Sequence, residues 1–169
     1  MVGQAHGPFT VPRPRLDERL AGATQRRLTC VVAGAGYGKT TLLTRWASDN
    51  ASAWHGLTAG DRTLGVVVRA VTDALRVRVP GLPADLVAAL SGPQGPDTGT
   101  DEGGRAQALA ARICEALAGS QTRDLVLVLD VFHLIDARDA QDAMAFMIEP
   151  LPPHFHVVRA SRADPALPL

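Results

Sequence analysis

Leu28-Thr29-Cys30-Val31-Val32-Ala33-Gly34-Ala35-Gly36-Tyr37-Gly38-Lys39-Thr40-Thr41-Leu42-Leu43 is the stretch whose reading decides the architecture. Leu28 to Ala33 is a short apolar run between a pair of arginines and a glycine, the pattern of a buried strand. Lys39 to Ser48 then places Leu42, Leu43, Trp46 and Ala47 at helical spacing, which makes one face of a helix apolar. Gly34, Gly36 and Gly38 lie between the two. Glycines let the backbone turn several N–H groups to one side, and the start of the helix adds a partial positive charge, so a strand, this loop and a helix together suit a phosphate.

Each position then takes a chemical part. The backbone of Gly34, Ala35, Gly36, Tyr37 and Gly38 is expected to surround phosphate oxygens, Lys39 to reach the β- and γ-phosphates, Thr40 to offer its hydroxyl to Mg2+, and Thr41 to lie near the α-phosphate. This is the pattern of a P-loop, and the implied cofactors are ATP or ADP with Mg2+. It departs from the general form at Ala33, where glycine is usual. The alternative is a glycine-rich turn that holds no ligand.

A second acidic position follows from Leu125-Val126-Leu127-Val128-Leu129-Asp130, an apolar strand ending in a carboxylate in the manner of a Walker B strand. Magnesium is a hard ion that prefers oxygen, so Asp130 reads as the second metal residue beside Thr40, or as a cap on the following turn. The next position, where a water-activating acid often stands, is Val131, which places hydrolysis in question. Phe155 to Ala160 reads as another strand, and Arg162 after it reads either as a γ-phosphate sensor or as a surface arginine.

With Ala53 to Leu57, these give four strand-like runs alternating with helical stretches at Lys39–Ser48, Leu64–Val77, Arg105–Ala118 and Asp139–Glu149. Alternation of this kind predicts an α/β fold with a mainly parallel sheet. The first, third and fourth strands read as fully buried, and Cys30 and Cys114 as core residues. Histidines other than His133 read as surface or loop residues. Ser91 to Gly104 contains five glycines and two prolines and no large apolar residue, the composition of a mobile loop. Lysine plus arginine number 17 and aspartate plus glutamate also 17, so no overall field draws the chain to nucleic acid or to an anionic membrane. The first residues carry prolines and no apolar signal core, from which a cytoplasmic location is expected.

Val11-Pro12-Arg13-Pro14-Arg15-Leu16, the stretch Ala33 to Leu43 with Trp46, Ala53-Trp54, Gly60-Asp61, Leu129-Asp130 with Phe132-His133-Leu134-Ile135, and Ala160 to Pro165 resemble the start of the large ATP-binding regulators of the LuxR family, STAND ATPases of the maltose-regulator type. Alanine at the position of Ala33 is common there. The resemblance implies a three-layer α/β/α P-loop NTPase sandwich over residues 28–169, preceded by a segment 1–27 that leads into the nucleotide site. It implies that Phe155–Ala160 inserts between the other two central strands, leaving Leu28–Ala33 at an edge with the sheet's last strand missing. It also implies that Val11 and Arg13 lie against the nucleotide base, that Arg162 reads the γ-phosphate, and that ATP drives self-association. DNA contact in such regulators belongs to a helix-turn-helix that this sequence does not contain.

Two other readings are open. A small-molecule kinase would use the same loop, but it would want an arginine-bearing lid, and Ser91–Gly104 has no arginine. A degenerate module would bind nucleotide or a partner without turnover, consistent with Val131.

Overall fold

A computed structural model describes residues 11–56, 64–79, 81–82, 102–120, 124–130, 145 and 148–162. In chain order the elements are α1 (Pro14–Ala21), a short 3-10 turn (Gly22–Gln25), β1 (Leu28–Val32), α2 (Lys39–Ser48), β2 (Ser52–Gly56), α3 (Leu64–Arg76), α4 (Glu102–Ala118), β3 (Leu125–Asp130) and β4 (Phe155–Ser161). The strands form one parallel sheet in the order β1-β4-β3-β2. β4 therefore lies between β1 and β3, as expected, with Val31 opposite Ala160 and Leu127 opposite Val157.

Strand alternation sorts the core into two halves. Leu125, Leu127 and Leu129 of β3 join Phe155 and Val157 of β4 on one face, where they meet Val71 and Leu75 of α3 and Ile113, Cys114 and Leu117 of α4. Val126, Val128, Val158 and Ala160 occupy the opposite face under Leu20 of α1 and Leu42, Leu43 and Ala47 of α2. The result is helix, sheet and helix in three layers, a P-loop NTPase-like sandwich. Each fully buried leucine or phenylalanine contributes about 1.5–3 kcal/mol over leaving it in water, so β3 and β4, buried along their whole length, anchor the sheet.

Several expectations need correction. β1 is not fully buried: among the described residues it pairs only with β4, so Cys30 and Val32 face outward as exposed residues. Cys114 is buried as expected, and its burial pushes the thiol pKa up. His156 is a core residue rather than a surface one, tolerated because its Nδ1 meets the Arg26 carbonyl at 2.9 Å. Glu102 to Gly104, assigned to the glycine-rich loop, already belong to α4. The rest of that loop, Gly60-Asp61, Val131 to Ile135, and most of the helix expected at Asp139–Glu149 lie outside the described residues. The segment before β1, expected only to lead into the nucleotide site, holds the helix α1. Pro14 occupies its first turn, where a missing N–H costs nothing, and the Arg13 carbonyl accepts from Leu16 N at 2.9 Å and Asp17 N at 3.0 Å.

Candidate functional site

Parallel strands bring their C-terminal ends to one edge of the sheet, which is where ligands sit in open α/β folds. At this edge β1 passes into the loop Ala33–Gly38, β4 ends at Ser161 and β3 ends at Asp130. The N–H of Ala33 donates to the Ser161 carbonyl at 3.2 Å, so the root of the loop is fastened to β4.

Gly36 and Gly38 have φ of +78° and +75°, which a side chain would strain. Gly38 is the N-cap of α2, so the loop delivers its backbone directly to the positive end of that helix. At Gly34 a Cβ would come within 3.3 Å of the Tyr37 ring, because the ring lies across the loop with its outer side exposed. The Lys39 ammonium folds back over the loop and donates to the carbonyls of Ala33 at 2.6 Å and Gly34 at 2.9 Å.

Thr40 Oγ1 donates to Asp130 Oδ2 at 2.7 Å. Asp130 is only 5% exposed, and together the hydroxyl and carboxylate offer two hard oxygens facing one spot beside the loop. Such a donor set fits Mg2+, which keeps several waters and takes its remaining oxygens from phosphate. Among the described residues no group of three or more histidine, cysteine, aspartate or glutamate side chains could form an all-protein metal cage.

Of the other residues singled out in the sequence, Arg13 reaches the loop, with Nη1 donating to the Tyr37 carbonyl at 3.0 Å. Val11 is exposed at the start of the described chain, Thr41 is exposed in the first turn of α2, and Arg162 is exposed just beyond β4. Two further features stand at the site, of which the sequence pointed to the strand end at Ser161-Arg162 but not to the second. Ser161 is buried beside the loop root, and its hydroxyl has no hydrogen-bond partner among the described residues. An ion pair between Asp17 of α1 and Arg45 of α2 ties the N-terminal helix to the helix that the loop opens. The ion pair has no local signature in the sequence. A separate open cleft of about 360 Å³, lined by Trp54, His55, Arg69 and Asp73 among others, lies beside β2 and does not include loop residues.

No family model matches the chain. Over 167 residues it is 33% identical to the HTH-type transcriptional regulator MalT of Klebsiella pneumoniae subsp. pneumoniae, an alignment covering 94% of this chain and 17% of that protein. The chain thus spans about a sixth of that relative's length. Among solved structures, the Walker-type ATPase paby2304 of Pyrococcus abyssi superposes with a TM-score of 0.53, covering 89% of this chain and 45% of that one at 11% identity. That likeness establishes the sandwich fold. No described helix is long and apolar enough to cross a membrane. The chain is thus similar in sequence to one part of a transcriptional regulator and similar in fold to a Walker-type ATPase.

Proposed function

We infer that the chain is the nucleotide switch domain of a LuxR-family transcriptional regulator, binding ATP and ADP with Mg2+ at the loop between β1 and α2. The observation that carries this reading is the 2.7 Å contact between Thr40 and Asp130, which joins the first turn after the glycine loop to the end of an apolar strand 90 residues later. A turn that merely connected a strand to a helix would not call for a buried carboxylate at that place. In this reading Gly34 to Gly38 surround the phosphates, Lys39 exchanges its two carbonyl partners for phosphate oxygens, and Thr40 and Asp130 hold Mg2+. The metal, when bound, neutralises phosphate charge. Arg162, at the end of the strand that separates β1 from β3, is assigned the terminal phosphate.

Hydrolysis is slow or absent, because the position after Asp130 is Val131, which can neither accept a proton nor orient a water. The domain then works as a binding switch whose state is set by which nucleotide it holds. Self-association belongs to the ATP-bound form, and DNA contact to other parts of such regulators. The test is calorimetric titration of ATP and ADP against the chain, with and without Mg2+, followed by a phosphate-release assay. Micromolar or tighter Mg2+-dependent binding with little release is the expected result; absence of binding for both nucleotides would remove the reading.

A further inference from the structure

Arg13 stands where two rigid pieces meet. Its backbone caps α1, since its carbonyl accepts from the Leu16 and Asp17 N–H groups in the first turn of that helix, and its side chain crosses to the loop ahead of α2. α1 is itself tied to α2 by the Asp17–Arg45 ion pair, and its Leu16 and Leu20 share one core cluster with Leu42, Leu43 and Ala47 of α2. A guanidinium on this frame holds the Tyr37 carbonyl oxygen at 3.0 Å, with its other terminal nitrogen 3.7 Å from where a Gly38 Cβ would stand.

That grip has a geometric effect on the next residue. The Tyr37–Gly38 peptide is trans, so its C=O and N–H point in opposite directions. Fixing the carbonyl toward Arg13 fixes the Gly38 N–H away from it. Gly38 cannot resist rotation by itself, because a glycine at φ +75° has several other conformations open to it.

We propose that Arg13 is a positioning residue for the loop: it sets the plane of the Tyr37–Gly38 peptide so that the Gly38 N–H is presented to phosphate, and it thereby makes phosphate affinity depend on the seating of α1 against α2. This rests on the nucleotide reading given above and adds a regulatory input to it. Whatever displaces α1, such as a neighbouring domain or a second chain pulling on the N-terminal segment, loosens the grip on nucleotide without touching it. The linkage is reciprocal: bound nucleotide holds α1 down.

The experiment compares Arg13→Ala, Arg13→Lys, Asp17→Asn and the Arg13→Ala/Asp17→Asn double variant, with Lys39→Ala as the control for phosphate binding. Arg13→Ala is expected to weaken ATP and ADP by the same factor, on the order of fivefold for one exposed charge-assisted hydrogen bond, because the loop serves phosphates common to both. Arg13→Lys, which still donates one hydrogen bond, should recover part of the loss. Asp17→Asn should weaken binding in the parent chain but add nothing in the Arg13→Ala background, since seating acts only through Arg13. Loss for ATP alone would mean that Arg13 touches the terminal phosphate, and additive losses would mean that seating acts independently; either overturns the proposal. If Lys39→Ala leaves affinity intact, the nucleotide reading itself fails, and a second measurement still decides the positioning claim. Amide exchange at residues 34–39 of the ligand-free chain should be faster in Arg13→Ala and in Asp17→Asn than in the parent, and unchanged exchange in both would sink it.

Discussion

Replacing Asp130 by asparagine separates the metal from the fold. The carboxylate is almost fully buried and accepts a 2.7 Å hydrogen bond from Thr40, and an asparagine carbonyl can accept the same bond from the same position. A hydrogen bond to a charged acceptor is worth about 1.5–3 kcal/mol and a neutral one about 0.5–1.5 kcal/mol, so the folded chain gives up ~1–1.5 kcal/mol. Part of that returns, because a neutral amide costs less to bury than an anion. The net change in urea stability should therefore stay within about 1 kcal/mol. Binding behaves differently. With Mg2+ present the variant lacks a charged ligand, and ATP affinity should fall by about tenfold or more, equivalent to ~1.4 kcal/mol. With the metal chelated the parent carboxylate stands near a polyphosphate and repels it, so the variant should bind ATP at least as well as the parent. Paired titrations in Mg2+ and in chelator, with urea melts as control, read all three quantities. Equal losses in both conditions would refute the assignment of Asp130 to the metal and point to structural damage.

Lys39→Ala should weaken ATP by at least about tenfold, since it removes a charge-assisted phosphate contact worth ~1.5–3 kcal/mol and also the bridge between the Ala33 and Gly34 carbonyls; titration reads it, and unchanged affinity would detach the loop from phosphate. Val131→Asp should raise phosphate release on the order of a hundredfold with ATP affinity little changed, whereas brisk hydrolysis by the parent chain would defeat the reading of that position. Burial pushes the Cys114 thiol above its ordinary value of 9.0, so the unfolded chain ionises there first as pH rises. The contribution is complete below about pH 9 and is lost above it, as the folded value is approached; urea melts of the parent and of Cys114→Ala should diverge in pH dependence only on the alkaline side. A divergence at neutral pH would contradict this.

The layers and the parallel sheet were legible in the sequence because short apolar runs alternate with helical stretches, as in β3, apolar up to its terminal Asp130; the place of β4 followed from the family resemblance. The meeting of Thr40 with Asp130 was legible for a related reason: both follow directly from strand ends that a parallel sheet must bring to the same edge. β1 misled. Leu28 to Ala33 is as apolar as a central strand, but burial depends on having neighbours on both sides, and no local pattern records that. His156 misled in the opposite sense, and like Arg159 it is a polar residue inside the sheet. They are accommodated by partners far away in sequence, the Arg26 carbonyl for one and Cys30 Sγ at 3.0 Å for the other, and periodicity cannot see contacts of that separation. α1 was not expected, although it carries local signals: Pro14 in the first turn, Asp17 near the helix's positive end, and Leu16 and Leu20 one turn apart. Its seat on α2 carries none, because the Asp17–Arg45 pair joins two helices that share no motif.

The glycine loop hangs from β1, one of the two strands that, among the described residues, have a ladder on one side only. In a cooperative structure the margin opens at lower free energy than the centre, so β1 can part from β4 while β3 and the rest of the sheet stay intact. A ligand gripping the loop would then act as a splint on this edge strand. The protein's resistance to partial unfolding would become a readout of whether the loop is filled, and proteolysis near β1 would report occupancy before any larger rearrangement took place.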